Sequence, residues 1–155
     1  MIKIWHIKNE FGRSGNRDAE WNMRADVQCF RDERFIPAVK EVIGAGGFIA
    51  VATFQPEGDL GISDACERAW TVTQNGVVSD SWSQYPPPGL TPIGETYFIR
   101  FDAHTKKDVR LGRKSSDIGD IFEIDGKFYA CFSFGFQEIP GVRVSADGNS
   151  LENVV

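Results

Sequence analysis

Cysteine pairs, histidine and long apolar runs are scarce in this sequence, and each shortage excludes a class of protein. The three cysteines, Cys29, Cys66 and Cys131, are widely separated and form no Cys-x-x-Cys pair, so neither a zinc site nor a disulfide framework is indicated. The two histidines, His6 and His104, stand at no metal-ligand spacing. We therefore expect free thiols that behave as small apolar side chains, with no metal and no cofactor.

An excess of basic residues is also lacking. The chain has 17 basic and 22 acidic residues, a net charge of -5, which opposes nonspecific binding to a phosphate backbone. No apolar run approaches the length that crosses a bilayer, and the start, MIKIWHIKNEF, alternates and carries charge, unlike the apolar segment of a signal peptide. We expect a cytoplasmic protein without a membrane or nucleic-acid partner.

Aromatic residues are abundant instead. The 155 residues include 12 Phe, 4 Trp and 3 Tyr, a composition that favours β-strands and a compact core. The length is that of one ordinary domain, long enough to bury a core without disulfides or metals. We therefore predict a single domain over residues 1–155.

Alternating and apolar stretches predict the strands. An Asp125-Gly126 pair between the last two predicts a tight hairpin, in which Phe128, Ala130, Phe132 and Phe134 share the buried face. Gly47–Phe54 is apolar on both faces, which is typical of the interior of a sheet. The predicted strands cover residues 2–8, Gly47–Phe54, Tyr97–Phe101, Ile121–Ile124 and Lys127–Phe134.

Helical spacing is present in two places. Residues 37–43 follow the pattern with Pro37 in the first turn, and residues 63–74 follow it up to Asn75-Gly76, a pair that also suits a β-hairpin. Residues 9–21 read as a loop, the stretch over 18–30 fits either a strand or a helix, and the polar C-terminal stretch is expected to fray. These patterns predict an α+β fold, mainly antiparallel sheet, with two short helices packed on one face.

The stretch GRKSSDIGDIFEIDGKFYACFSFGF, Gly112 to Phe136, combines charge, hydroxyls and aromatic residues. It is not a P-loop, because Lys107 stands where the first glycine would be and Arg113 separates Gly112 from Lys114. The alternative is a capped turn. Ser115 or Ser116 could accept a hydrogen bond from an amide about three residues further on, and Gly119 could adopt a positive φ.

Together with the preceding helix, DACERAWTVTQN, this stretch resembles a small domain of the YodL and KfrB type, found in proteins of phages, plasmids and other mobile elements. The resemblance covers roughly the last 95 residues. Lys114 takes the place of the family's Arg, and the positions that follow it are Ser115, Ser116 for Thr, Asp117 for Ser, Ile118 for Val, Gly119-Asp120, and later the closing Gly135-Phe136.

Two departures from that family pattern concern charge. Lys114 lacks the planar fork with which an Arg grips an anion in two places, although the neighbouring Arg113 could supply one. Asp117 retains the capping capacity of a Ser and adds a negative charge. The resemblance implies an accessory protein of a mobile element and assigns no reaction.

A soluble protein-binding module is the function that the sequence favours. Exposed aromatic and proline-rich loops can bury much area on a partner at small entropic cost, and the stretch around Trp70, Trp82, Tyr85 and Pro86–Pro88 has that composition. The alternative interpretation of Trp70 and Trp82 places both in the core. The sequence does not indicate an oligomeric state.

Two other functions remain open from the sequence. One is a small-molecule-binding protein or enzyme with a pocket near His104 and the Ser115–Asp120 turn, and the other is an acidic decoy that mimics DNA against restriction systems, for which -5 is a mild charge. No residue is assigned a catalytic or metal-binding role. The candidate binding residues are Trp82, Tyr85, His104, Arg113, Lys114, Ser115, Ser116 and Asp120.

Overall fold

The computed structural model describes residues 1–8 and 27–154. Over these residues the chain is an α+β protein built mainly from antiparallel sheet, which confirms the predicted fold class. The elements in chain order are β1 Ile2–Ile7, α1 Phe35–Gly44, β2 Phe48–Phe54, α2 Ile62–Val72, β3 Leu90–Pro92, β4 Tyr97–Asp102, β5 Lys107–Gly112, β6 Ile121–Ile124, β7 Lys127–Cys131, β8 Phe136–Glu138, β9 Val142–Val144 and β10 Leu151–Asn153.

The main sheet has six strands in the order β3-β2-β1-β6-β7-β8, all antiparallel. The N-terminal strand β1 lies in the middle, between β2 and β6, because its side chains are apolar on both sides. Ile4 and Trp5 are both fully buried, although adjacent strand residues point to opposite faces. As expected, β2 is an interior strand with a neighbour on each side.

The two helices cover opposite faces of this sheet, whereas the sequence suggested a single face. Tyr129 and Cys131 of β7 join a buried cluster with α2, and Phe128 and Ala130 join a second cluster with α1. Since these residues alternate along one strand, the two clusters lie on opposite sides. Strands with apolar residues on both faces require a cover on each face.

The helices lie close to their predicted positions. Helix α1 contains Pro37 in its first turn and buries Phe35, Val39, Val42 and Ile43. Helix α2 buries Ala65, Cys66, Ala69 and Val72 at helical spacing, so the helical interpretation of this stretch is confirmed over the hairpin alternative.

The β6–β7 hairpin is confirmed, with its turn at Asp125-Gly126. Both turn residues have positive φ, 50° and 75°, as a type I′ turn requires. Strand β7 ends at Cys131, earlier than predicted, and Phe134 lies in the following turn with its side chain exposed. Phe134 therefore does not share the buried face of Phe128 and Ala130.

Two further hairpins stand outside the main sheet. The predicted strand at Tyr97–Phe101 forms β4 but pairs with β5 in a separate two-stranded sheet instead of joining the main one. Strands β9 and β10 form the other hairpin from the stretch expected to fray. It is fixed to α1, because the Asn153 Nδ2 amide donates to Lys40 O at 2.9 Å and Leu151 is buried.

The loop expected over residues 9–21 lies outside the described residues, as does most of the stretch over 18–30 that fits either a strand or a helix. Of the latter, residues 27–29 are helical. Over the described ranges, no helix has the length and apolar character needed to cross a membrane.

Candidate functional site

The motif that follows β5 is bound to the C-terminal end of α2. The Asn75 N–H donates to Ser115 Oγ at 2.9 Å, and the Asn75 side-chain amide donates to Arg113 O at 2.9 Å. The Gln74 amide donates to Ser116 O at 3.0 Å. These bonds satisfy polar groups where the helix ends, so the two halves of the motif, residues 73–75 and 113–116, form one unit.

Ser116 lies in a closed polar network with His6 and Thr73. Its hydroxyl is 2.9 Å from His6 Nε2 and 2.7 Å from Thr73 Oγ1, and all three residues are buried. The Asp120 Oδ2 atom is 3.9 Å from the same Nε2. In a Ser-His-Asp triad the carboxylate contacts the other ring nitrogen, and the serine faces a substrate. The arrangement of Ser116, His6 and Asp120 therefore differs from such a triad.

Asp120 accepts hydrogen bonds from three residues, one in β1 and two in the turn before β6. Its Oδ1 accepts from Ile7 N at 2.8 Å, and its Oδ2 accepts from Asp117 N and Lys114 Nζ, each at 2.8 Å. The carboxylate has no exposed surface, while Lys114 is partly exposed. A buried charge that is paired and hydrogen-bonded is tolerated in a protein interior. The expected serine cap is thus replaced by Asp120, which caps the turn from its other end.

Ser83, Trp82 and Arg113 fix the base of the β4–β5 hairpin. The Ser83 hydroxyl donates to Thr96 O at 2.7 Å and accepts from Arg113 N at 2.8 Å, so it bridges both strands. The Arg113 guanidinium Nε donates to Glu95 O at 2.7 Å, and Trp82 Nε1 donates to Lys114 O at 2.9 Å. Trp82 and Arg113 are both buried, so neither presents its side chain to a partner at the surface.

The remaining predicted residues are dispersed. Tyr85 is exposed beside the proline loop. His104 is exposed in the turn at the tip of the β4–β5 hairpin, where its backbone N–H donates to the Asp102 carboxylate and lowers the pKa of Asp102. A six-residue strand spans about 20 Å, which separates this tip from Ser115 at the base. His104 and the Ser115–Asp120 turn therefore do not line one pocket.

Among residues 1–8 and 27–154, no three His, Cys, Asp or Glu side chains are grouped so that they could hold a metal ion. Burial raises the pKa of the Cys66 thiol to about 12, and burial also raises the pKa of Cys131. Both thiols are therefore protonated near neutral pH and poor nucleophiles. Cys29 is exposed.

A groove lies between α2 and the proline-rich loop, and we call it the α2 groove. Its volume is about 340 Å³, within the range of ligand-sized clefts. Two of its lining residues, Arg68 and Thr71, also line a second, more open groove along the same helix. The α2 groove is lined by Phe54, Gln55, Glu57, Arg68, Thr71, Val72, Val78, Pro87, Pro88 and Gly89.

A tight turn positions the proline side of the groove. The Leu90 N–H donates to Pro87 O at 3.1 Å, and Gly89 has a φ of 84°, which is the type II pattern with Pro at the second and Gly at the third position. A Cβ atom on Gly89 would lie 2.5 Å from Gln55 O. Only glycine therefore lets the loop approach β2 closely enough to form the groove.

The α2 groove lies beside exposed apolar side chains and beside a stretch of chain that is acidic overall. Val78, which lines the groove, and Tyr85, near the proline side in sequence, are exposed by 52% and 69%. Along residues 55–71 the exposed charged residues are Glu57, Asp59, Asp64, Glu67 and Arg68, a net charge of -3, and of these Glu57 and Arg68 line the groove itself. An exposed apolar surface with a charged rim is typical of a protein-binding site.

The sequence indicated only part of this surface. The proline loop and Tyr85 were candidates, but Val78 and Arg68 were missed, because neither belongs to a motif and only the fold brings them together. The available signal was the Val77-Val78 pair after Asn75-Gly76, two apolar residues in a turn where polar ones are usual.

Comparisons of the chain with protein-family models, with curated proteins and with solved structures give no match. Function must therefore be inferred from the geometry and charge of the surface.

Proposed function

We propose that this protein is a small protein-binding module whose α2 groove receives a short apolar, basic segment of a partner protein. The observation that carries the proposal is the groove itself, which combines an apolar floor of Phe54, Val72 and Val78 with a rigid proline side. Prolines that are already fixed lose little entropy on binding.

The net charge of residues 55–71, which run beside the groove, supports the choice of partner. With four exposed carboxylates and one guanidinium along residues 55–71, the local field attracts positive side chains and repels acidic ones. The groove is only partly enclosed, so it can receive an extended segment held by one or two anchoring side chains.

The biological setting is part of the same proposal. The resemblance of residues 113–136 to the YodL and KfrB type supports a role as an accessory protein of a mobile element. The residues carrying that resemblance contribute to the support of α2 through Thr73 and Asn75, so within this proposal they maintain the surface that binds.

Selection from a random peptide display library tests the proposal without knowledge of the natural partner. We expect enriched peptides to share an apolar anchor and a net positive charge, and to bind more weakly as salt is raised, since exposed charges are screened. Val78→Asp should weaken binding roughly tenfold or more, because it places a carboxylate on the apolar floor.

Val77→Asp is the matched control, since Val77 is adjacent, equally apolar and more exposed, yet does not line the groove. Glu57→Lys should weaken the binding of the basic peptides while leaving the fold intact. Selected peptides that bind equally to the Val77 and Val78 variants, or that carry net negative charge, would contradict the proposal.

A further inference from the structure

A further groove lies between α2 and the turn that joins β7 to β8, and we call it the Trp70 groove. Its volume is about 310 Å³, at the lower end of the range of ligand-sized clefts. Helix α2 contributes Ser63, Glu67 and Trp70, which share one face because they are four and three positions apart. Of the described residues, none lines both this groove and the α2 groove, so the two sites are separate.

Two aromatic side chains give the Trp70 groove its apolar surface. Trp70 and Phe136 are partly buried against the cluster that α2 covers. Phe136 pairs with Cys131 across β7 and β8, so these two side chains point to the same side of the sheet. Phe132 also lines the groove, but its ring packs on Phe35 of α1, with ring centroids 4.6 Å apart. The ring faces of Trp70 and Phe136 therefore remain, and such faces attract cations.

The charge of the Trp70 groove is that of a single carboxylate. Glu67 is exposed at its edge, and of the described residues that line the groove none is basic. A carboxylate beside aromatic ring faces attracts a cation and repels an anion.

A buried hydroxyl lies in the same groove. Ser133 belongs to the turn between β7 and β8, and its Oγ atom is buried with no hydrogen-bond partner among the described residues. Buried polar atoms in proteins are ordinarily hydrogen-bonded, so a donor in the groove would supply what Ser133 lacks. A primary ammonium carries N–H donors, whereas a quaternary ammonium has none.

We propose that the Trp70 groove binds a primary alkylammonium cation. Its N–H groups donate to Ser133 Oγ, and its charge is balanced by Glu67. Its alkyl chain and charged end pack against the ring faces of Trp70 and Phe136. A free amine and the lysine side chain of another protein offer this same chemistry, and the inference does not depend on the α2 groove.

An NMR titration with n-butylammonium tests the ligand class, monitored at the Trp70 indole N–H and the backbone amides of Ser133 and Phe136. We expect shifts that saturate at millimolar concentrations, because so small a ligand makes few contacts. The control n-butanol has a similar size without the charge, and the control tetramethylammonium has the charge without N–H donors. Each control should bind roughly tenfold more weakly. Binding of either control as tightly as n-butylammonium, or the absence of a saturable shift, overturns the inference.

Ser133→Ala separates binding from stability. Because it removes a buried hydroxyl that has no partner among the described residues, it should leave the melting temperature unchanged or raise it. Its affinity for n-butylammonium should fall roughly tenfold. Phe134→Ala is the matched control, since Phe134 is exposed in the same turn and does not line the groove. Equal affinities of the Ser133 and Phe134 variants overturn the inference.

Glu67→Gln tests the charge of the site. Glu67 is exposed, so the variant should fold normally and bind n-butylammonium roughly tenfold more weakly. Glu138→Gln removes a carboxylate that is exposed two positions after Phe136 but does not line the groove, and it should bind almost as the wild type does. Equal losses in the two variants would show only a general attraction of cations and would overturn the assigned contact.

The amide of Nα-acetyl-lysine distinguishes the two sources of the cation, because it carries the same ammonium on a protein-like backbone. Tighter binding than that of n-butylammonium identifies a lysine side chain as the occupant, and weaker binding identifies a free amine. Failure of both compounds to bind overturns the inference.

Discussion

Asp120 joins separate segments of the chain through one buried carboxylate. Replacement with Ala removes the acceptor of Ile7 N and Asp117 N and leaves Lys114 without its carboxylate. We expect Asp120→Ala to lower the free energy of unfolding by about 3 kcal/mol, because buried donors then lack an acceptor. Urea unfolding monitored by tryptophan fluorescence measures this.

Ser115→Ala is the matched control for Asp120, since the Ser115 hydroxyl accepts one bond, from Asn75 N, at a more exposed position. Its expected cost is about 1 kcal/mol. Equal losses for the two variants would contradict the central role given to Asp120.

The three thiols differ in reactivity at the same scale. Thiolate is the reactive form, and burial holds the pKa of Cys66 at about 12 and raises that of Cys131. At pH 8 we expect an alkylating reagent to modify Cys29 rapidly in the folded protein and Cys66 and Cys131 only after unfolding in urea. Mass spectrometry of the labelled peptides decides this, and rapid native labelling of Cys66 would show that the α2 side of the core opens.

Among the elements, the turn before β6 depends on a single glycine. Gly119 has a φ of 93°, and a Cβ there would lie 2.6 Å from Val27 Cγ1. Gly119→Ala therefore combines backbone strain with a steric clash, and we expect a loss of about 3 kcal/mol in the free energy of unfolding.

Gly44→Ala provides the contrast, because Gly44 lies in α1 and the new Cβ would make an ordinary 3.5 Å contact with Asn153. Gly44 is the last residue of α1 and is not among the glycines with positive φ, so alanine fits there without strain and the variant should be neutral or slightly more stable. Thermal unfolding followed by circular dichroism compares the stability of the two variants. A Gly119→Ala protein as stable as the Gly44→Ala protein would contradict the strain and clash expected at position 119.

Much of the element order could be predicted because local patterns encode it. Alternation located β1, β6 and β7, the Asp125-Gly126 pair fixed one hairpin, and helical spacing located both helices. The position of β4 could not be predicted, since Tyr97, Ile99 and Phe101 have the pattern of a half-buried strand. Alternation shows that one face is apolar but not whether that face meets the core or the solvent.

For the molecule as a whole, the site depended on contacts that are remote in sequence. His6 and Ser116 are 110 positions apart, yet their side chains lie 2.9 Å from each other, because the sheet order brings β1 beside β6. The motif at 113–120 was recognisable from its residue types, and its interpretation as structural is supported by these bonds. The α2 groove was only partly foreseeable, because its floor combines β2, α2 and two loops.

The central position of β1 also has a consequence for how the chain reaches this fold. Ile2 pairs with Ile124, so the middle of the sheet closes only when roughly 120 intervening residues have been made. During synthesis β1 can pair with β2 early, but its other edge stays unpaired until β6 has been made. We expect refolding from urea in milliseconds to seconds, as is usual for sheets built from distant pairings. Stopped-flow fluorescence measures this rate. Folding in microseconds would contradict the expectation, because it would mean that the pairing of β1 with β6 does not limit the rate.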